Sequence, residues 1–309
     1  MKETISYYYN LKIDELEEKN GKYYFQINGQ NYFFVYFSRN ENELNDLLSV
    51  CEYMITKGYM PHTILLNING SYFTEVDKYK YVLFMSSNVY EKYDIFDLVK
   101  FSNTFKLNNK NSLLYRNNWS NLWSQKVDYF EYQIRQLALD KEIIKKSFSY
   151  YIGLAENAIL YVNIINKKFP SKLGKLVLSH RRIFYPNYKI NFLNPLSFVF
   201  DLEVRDAAEY FKSMFFNVSE DEVVEDLKYY LKISYLSPYE LNMFMARLLY
   251  PSYYFDLYED IMNLNKNEDE LLKIIKKSAS FEKFLKKVYL EISKYTKLEE
   301  ISWLINWHL

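Results

Sequence analysis

The chain has 309 residues, and its 39 Lys plus Arg are balanced by 39 Asp plus Glu. That length holds one large or two modest domains, and zero net charge supplies neither a basic field for nucleic acid nor a polybasic patch for a membrane surface. A single cysteine, Cys51, excludes an internal disulfide framework and suits a reducing cytoplasm, and only 6 glycines argue against a Gly-rich phosphate cradle.

The first residues, Met-Lys-Glu-Thr-Ile-Ser, lack the apolar centre of a signal peptide. No apolar run approaches the roughly 20 residues that span a bilayer, so no membrane insertion is expected. Residues 1 to about 20 read as a short helix and a loop. Residues 22–28 and 31–37 read as aromatic strands, and Asn28-Gly29 between them is a two-residue hairpin signal. Asn20-Gly21 marks another turn. Leu44, Leu47, Leu48, Cys51 and Ile55 recur at helical spacing across 41–57, and Gly58 suits the stop. Residues 63–68, 72–76 and 81–85 read as strands, with Asn69-Gly70 as a further hairpin turn. The spacing thus predicts strands, a helix, then strands, with residues 85–88 as a hinge.

From about residue 91 the pattern is mostly helical. Leu154, Ala155, Ala158, Ile159 and Val162 line one helical face. Residues 175–179 and 197–200 read as strands, and 221–234, 238–250, 268–277 and 281–295 as helices. The polar stretch 102–111 reads as a loop. Trp119 with Trp123, and the aromatics of 250–254, stand at helical or near-helical spacing. Core packing is the default for such stripes, and a partner surface is the alternative.

Between the two later strands runs Leu178-Ser-His-Arg-Arg-Ile-Phe-Tyr-Pro-Asn187. Its frame resembles the catalytic loop of small-molecule kinases, His-Gly-Asp-x4-Asn. His180 and Asn187 are in place, and Arg182 stands where the catalytic Asp is expected. Ser197-Phe-Val-Phe-Asp201 followed by Val204-Arg-Asp-Ala-Ala208 resembles the strand that delivers a metal-binding Asp and the helix start after it. Residues 118–126, 148–161, 235–240 and 246–255 resemble the YutH branch of CotS-type spore coat proteins. The resemblance implies an α+β, bilobal protein-kinase-like fold of the aminoglycoside phosphotransferase type. A small β-rich N-lobe, residues 1–86, would precede a large, mostly helical C-lobe, residues 87–309.

In phosphoryl transfer the protein mainly positions groups and neutralises charge. A loop Asp orients the attacking hydroxyl, and an Asn and a later Asp hold magnesium on the phosphates. Arg is always charged and has no acceptor, so Arg182 cannot be that base. The strand 31–37 contains no Lys, and Lys19-Asn-Gly21 is a plain turn rather than a Gly-rich loop. Arg39 is poorly placed to substitute, which leaves Glu43 and Glu52 as solvated helix charges. Asn187 and Asp201 remain as residual metal positions. Asp206 reads as a helix cap and His180 as a brace of the loop. Histidines 62, 180 and 308 are too few for a His/Cys zinc cluster. Either Arg181 or Arg182 is expected to turn onto Asp201 as a salt bridge.

The loop His180, Arg181, Arg182 is therefore expected to be degenerate, with no catalytic residue and no bound cofactor. The missing base, strand Lys and Gly-rich loop, taken with the spore-coat link that the resemblance implies, lead to the expectation of a non-catalytic, spore-coat-associated pseudokinase that acts through contacts with spore coat proteins. Its expected path runs from the mother-cell cytoplasm to the spore coat. The alternatives are an atypical small-molecule phosphotransferase using Asn187 and Asp201 with magnesium and ATP, or a non-catalytic ligand-binding module.

Overall fold

The structure is a computed structural model, and it describes residues 1–19, 21–87, 90–106, 111–137, 140–170, 174–186, 188–264 and 266–305. In chain order the first elements are α1 (Lys2–Tyr9), β1 (Glu17–Lys19), β2 (Lys22–Ile27), β3 (Gln30–Tyr36) and α2 (Glu43–Thr56). Strands β4 (Thr63–Leu65), β5 (Thr74–Val76) and β6 (Tyr79–Met85) follow. Then come α3 (Ile95–Thr104), α4 (Trp119–Leu137), α5 (Glu142–Lys168), β7 (Leu176–His180), α6 (Lys189–Phe192) and β8 (Phe198–Leu202). The rest is helical: α7 (Val204–Phe215), α8 (Glu220–Ile233), α9 (Pro238–Leu249), α10 (Ser252–Leu264), α11 (Leu271–Lys276), α12 (Ser278–Ser293) and α13 (Ser302–Ile305).

These elements fall into two compact units. The first comprises Met1–Tyr93, Asn108–Tyr115 and Asn187–Phe200; the second comprises Asp94–Leu107, Arg116–Pro186 and Asp201–Leu309. In the first, an antiparallel sheet has the order β1-β2-β3-β6-β4, with β5 also paired to β6. The β2–β3 hairpin turns at Asn28 and Gly29, both left-handed (φ 51° and 78°), as a tight two-residue turn requires. Ile5, Ile13, Phe25, Phe34 and Leu83 form a core against one sheet face. On β3 the apolar run is covered on both faces as far as Val35, and Tyr36 emerges at 47% exposure.

Two details of this unit differ from the sequence reading. Asn69-Gly70 does not join paired strands. It lies in a loop organised by Asn67, whose side chain accepts from the N–H groups of Asn69 and Ser71 and donates to Phe73 O. The hairpin turn is instead Asp77-Lys78, between β5 and β6, with φ of 49° and 70°. On α2 the buried face is Glu43, Leu44, Leu47, Val50 and Met54, while Ile55 is 61% exposed. The stripe is rotated by one residue because buried Glu43 belongs to it.

In the second unit, α7 and α9 are buried almost all round. Long apolar side chains suit that setting, but α7 also carries Arg205, Asp206, Glu209 and Lys212, and α9 carries Glu240 and Arg247. Buried charges persist only when paired and hydrogen-bonded, and these pairings make up the site below. Gly174 admits the close approach at the start of β7: an added Cβ would stand 2.8 Å from Leu202 Cδ2. The end of β8 runs beside β7, and Glu203 N–H donates to Lys175 O. Residues 102–104, read as loop, close α3, and 107–110 lie outside the described residues.

Candidate functional site

Strand β7 is buried throughout and ends on His180, itself 1% exposed. The His180 main-chain N–H donates to Asp206 Oδ1 at 2.9 Å, and its Nδ1 bonds Asp206 Oδ2 at 2.7 Å. An ionised carboxylate only accepts, so Nδ1 carries the proton. His180 thus braces the loop as the sequence implied, but Asp206 is its partner rather than a helix cap. The residue ahead of α7, Glu203, is already helical (φ −56°, ψ −26°) and makes no side-chain cap. Asp206 is therefore free to face β7 from the first turn. Arg205 holds the same loop by its carbonyls, with Nε on His180 O at 2.8 Å and Nη2 on Arg181 O at 3.1 Å.

The ion pair onto Asp201 is present, but neither Arg181 nor Arg182 makes it. Arg205, four residues along the chain, bonds Asp201 Oδ2 through Nη1. Arg182 is drawn away to α10, where its Nε and Nη2 meet the two oxygens of Asp256, Nη2 at 2.7 Å from Oδ1. Its Nη1 donates to Arg181 O at 2.8 Å. A guanidinium fork matched by a carboxylate on a neighbouring helix satisfies Arg182 without Asp201.

Asp201 is fully buried. Trp119 Nε1 donates to both its oxygens at 2.9 Å, and the Leu202 N–H donates to Oδ1 at 2.8 Å. Each oxygen therefore receives two contacts, which matches the roughly four lone-pair positions of a carboxylate. Burial pushes the Asp201 carboxyl up, while Arg205, Arg247 and the Trp119 indole act the other way.

A buried network continues from Trp119. The Arg247 guanidinium lies 5.1 Å and 5.5 Å from the ring centres of Trp119 and Trp123, and its Nε donates to Glu209 Oε1 at 2.7 Å. Lys212 Nζ reaches Glu209 Oε1 at 3.0 Å, Ser252 Oγ at 2.6 Å, and the carbonyls of Arg247 and Tyr250. It thus ties α7 to the end of α9 and the start of α10. Burial opposes the charge on Glu209, but Lys212 and Arg247 hold its carboxyl well below the usual range. Trp119 and Trp123 are core residues, as their spacing implied, and Trp123 stacks on Tyr250 at 4.3 Å.

Kinase-type chemistry requires a magnesium–nucleotide complex, and the surroundings of Asp201 do not fit one. A hard cation takes oxygen lone pairs, and those of Asp201 face an indole, an amide and a guanidinium that carries positive charge. Asn187, the second expected ligand, lies outside the described residues. Among the described residues, no group of three or more His, Cys, Asp and Glu side chains is placed to hold a metal ion. In the first unit β3 carries no Lys. Glu43 is not the solvated charge expected: it is buried and accepts from Arg39 Nε at 2.7 Å. The same guanidinium donates to the carbonyls of Leu196 and Phe198, so Arg39 is consumed as an internal tie.

Beside the Arg182–Asp256 pair lies an open groove of about 470 Å³, with Phe184, Tyr253, Leu257 and Ile274 in its walls. Phe184 is 60% exposed.

An antiparallel N-terminal sheet with one long helix, followed by helices and a short strand pair bearing His180 and Asp201, is the kinase-like fold of the aminoglycoside phosphotransferase type. The chain belongs to the family described as "Spore coat putative kinase YutH", whose sequence model matches residues 2–288. It is 29% identical over 187 residues to the endospore coat-associated protein YutH of Bacillus subtilis (strain 168), a match covering 54% of each chain. The matched stretch thus spans about half the length of that curated relative. Among solved structures, spectinomycin phosphotransferase is similar with a TM-score of 0.56 at 12% identity, covering 94% of this chain and 97% of that one. An aminoglycoside phosphotransferase from Alicyclobacillus acidocaldarius gives 0.57 at 10% identity, over 93% and 94%. Amicoumacin kinase gives 0.53 at 12% identity, over 96% and 94%. These likenesses establish the fold alone.

Proposed function

We propose that this chain is a catalytically inactive member of its family that serves endospore coat assembly through protein contacts, reaching the spore coat from the mother-cell cytoplasm. The observation that carries the reading is the closure of Asp201 by Trp119, Arg205 and the Leu202 amide. Arg182 supports it, since a guanidinium locked to Asp256 can neither accept a proton nor clear the loop for a substrate. The coat assignment draws on the family and on the printed name of the Bacillus subtilis relative. No helix among the described residues is long and apolar enough to cross a membrane. The lobe division at 1–86 and 87–309 is kept as part of this reading.

The test has two arms. The purified chain with magnesium and ATP is expected to show no turnover toward small-molecule hydroxyls or amines. Steady turnover that disappears in Asp201→Ala refutes the inactive assignment. A fluorescent fusion is expected to collect on the forespore and co-purify with spores. A fusion dispersed through the cell and absent from purified spores refutes the coat role.

A second reading, a non-catalytic ligand-binding module, is favoured by the groove beside Arg182, whose volume suits a small molecule. A small-molecule screen by thermal shift distinguishes it: a hit lost in Phe184→Ala supports the module over the scaffold.

A further inference from the structure

Behind the His180–Asp206 latch lies a separate small cavity of about 10 Å³, outside the features invoked above. Its polar wall is Ser102, Ser179, Glu203, Asp206 and Tyr230. Ser179 lies on β7, is fully buried, and its Oγ has no hydrogen-bond partner. A buried hydroxyl left without a partner loses its hydration for nothing in return. Such groups in folded proteins are regularly met by ordered water, which needs about 10–15 Å³ and two to four polar neighbours.

We infer that this cavity is a binding site for one ordered water molecule, which accepts from Ser179 Oγ and donates to the carboxylates of Glu203 and Asp206. The lone-pair count allows it. Asp206 Oδ1 and Oδ2 each accept from His180, and Glu203 Oε1 accepts from Lys175 Nζ at 2.9 Å. Every carboxylate oxygen has two acceptor positions, so capacity remains on both side chains. Water also fits the charge better than a metal ion does. The His180 N–H groups and Lys175 already meet the two carboxylates. The remaining wall includes the apolar side chains of Leu98, Val99 and Ala207, where a hard cation needs roughly six or more oxygens. The water would join β7 to α7 directly behind the latch, so the brace on the altered loop would have three members rather than two.

Crystals of the full chain grown from sodium chloride, and again from rubidium chloride, test this. One density peak about 2.8 Å from Ser179 Oγ and within hydrogen-bond reach of Glu203 or Asp206, without rubidium anomalous signal, is the expected result. In solution, the methyls of Val99 and Ala207 are expected to show nuclear Overhauser effects from a long-lived water. An empty cavity, a rubidium signal in it, or a Ser179 hydroxyl turned onto a main-chain carbonyl overturns the inference. The unaltered chain carries the test, and no variant is needed.

Discussion

The indole N–H of Trp119 donates to both carboxylate oxygens of Asp201, across 82 residues of sequence, at 2.9 Å each. Arg205 and the Leu202 amide complete the set. Asp201 is thus a buried carboxylate whose two oxygens both meet nitrogen donors.

Removing one of those donors is expected to cost stability rather than to open a metal site. Trp119→Phe keeps the ring but loses the N–H, which leaves Asp201 under-satisfied at a cost of about 1–3 kcal/mol. Arg205→Met leaves the buried carboxylate without its ion-pair partner, at about 3–5 kcal/mol. Urea denaturation of the two variants checks both, and a midpoint unchanged in Arg205→Met contradicts the pairing.

A double-mutant cycle separates the two arginines. Asp201 and Arg205 are expected to couple by more than about 1 kcal/mol, and Asp201 and Arg182 by nearly nothing, because Arg182 is engaged with Asp256. The reverse order of coupling energies would move the ion pair back to the loop.

Restoring an acidic side chain at the loop is not expected to restore chemistry. Arg182→Asp places a carboxylate beside Asp256 while Asp201 stays closed, so the variant is expected to show no phosphate transfer. The lost pair is partly solvent-exposed, 24% and 28% at the two side chains, so the stability loss is about 1 kcal/mol. An ATP-dependent activity gained by this single change argues that the site is open.

His62 gives the first unit a pH signature. It is 3% exposed, its Nδ1 accepts from Ser87 N–H at 3.1 Å, and burial pushes its pKa down to about 4 from 6.5. Between these values the unfolded chain takes up a proton that the folded chain refuses. The contribution is therefore complete above about pH 6.5 and is lost as pH falls toward 4, by about 3 kcal/mol. His62→Gln is expected to flatten that part of the stability–pH curve. Identical slopes for the variant and the unaltered chain contradict the assignment.

The parts of this architecture legible in sequence were those coded locally. Asn28-Gly29 fixed one hairpin because only left-handed backbone closes a two-residue turn. The order of His180, Arg182 and Asp201 carried the resemblance to a kinase loop. Asp77-Lys78 was missed because it lacks the glycine that usually flags such turns. The pairs Asp201/Arg205 and Arg39/Glu43 are both four apart, but Asp201 lies on β8 and Arg39 ahead of α2, so neither pair is carried by one helix and helical spacing does not announce it. The contacts Trp119–Asp201 and Arg182–Asp256 join positions 82 and 74 residues apart. No local pattern announces them; they form where α4 meets the end of β8 and where the loop after β7 meets α10.

Calorimetric titration of magnesium–ATP into the full-length chain tests the closure of Asp201 most directly. The expected result is no saturable heat at any concentration near those of the cell, for the unaltered chain and Asp201→Ala alike. Saturable, magnesium-dependent binding that Asp201→Ala abolishes would contradict the account, because it would place a cation on the carboxylate that Trp119 and Arg205 are seen to hold.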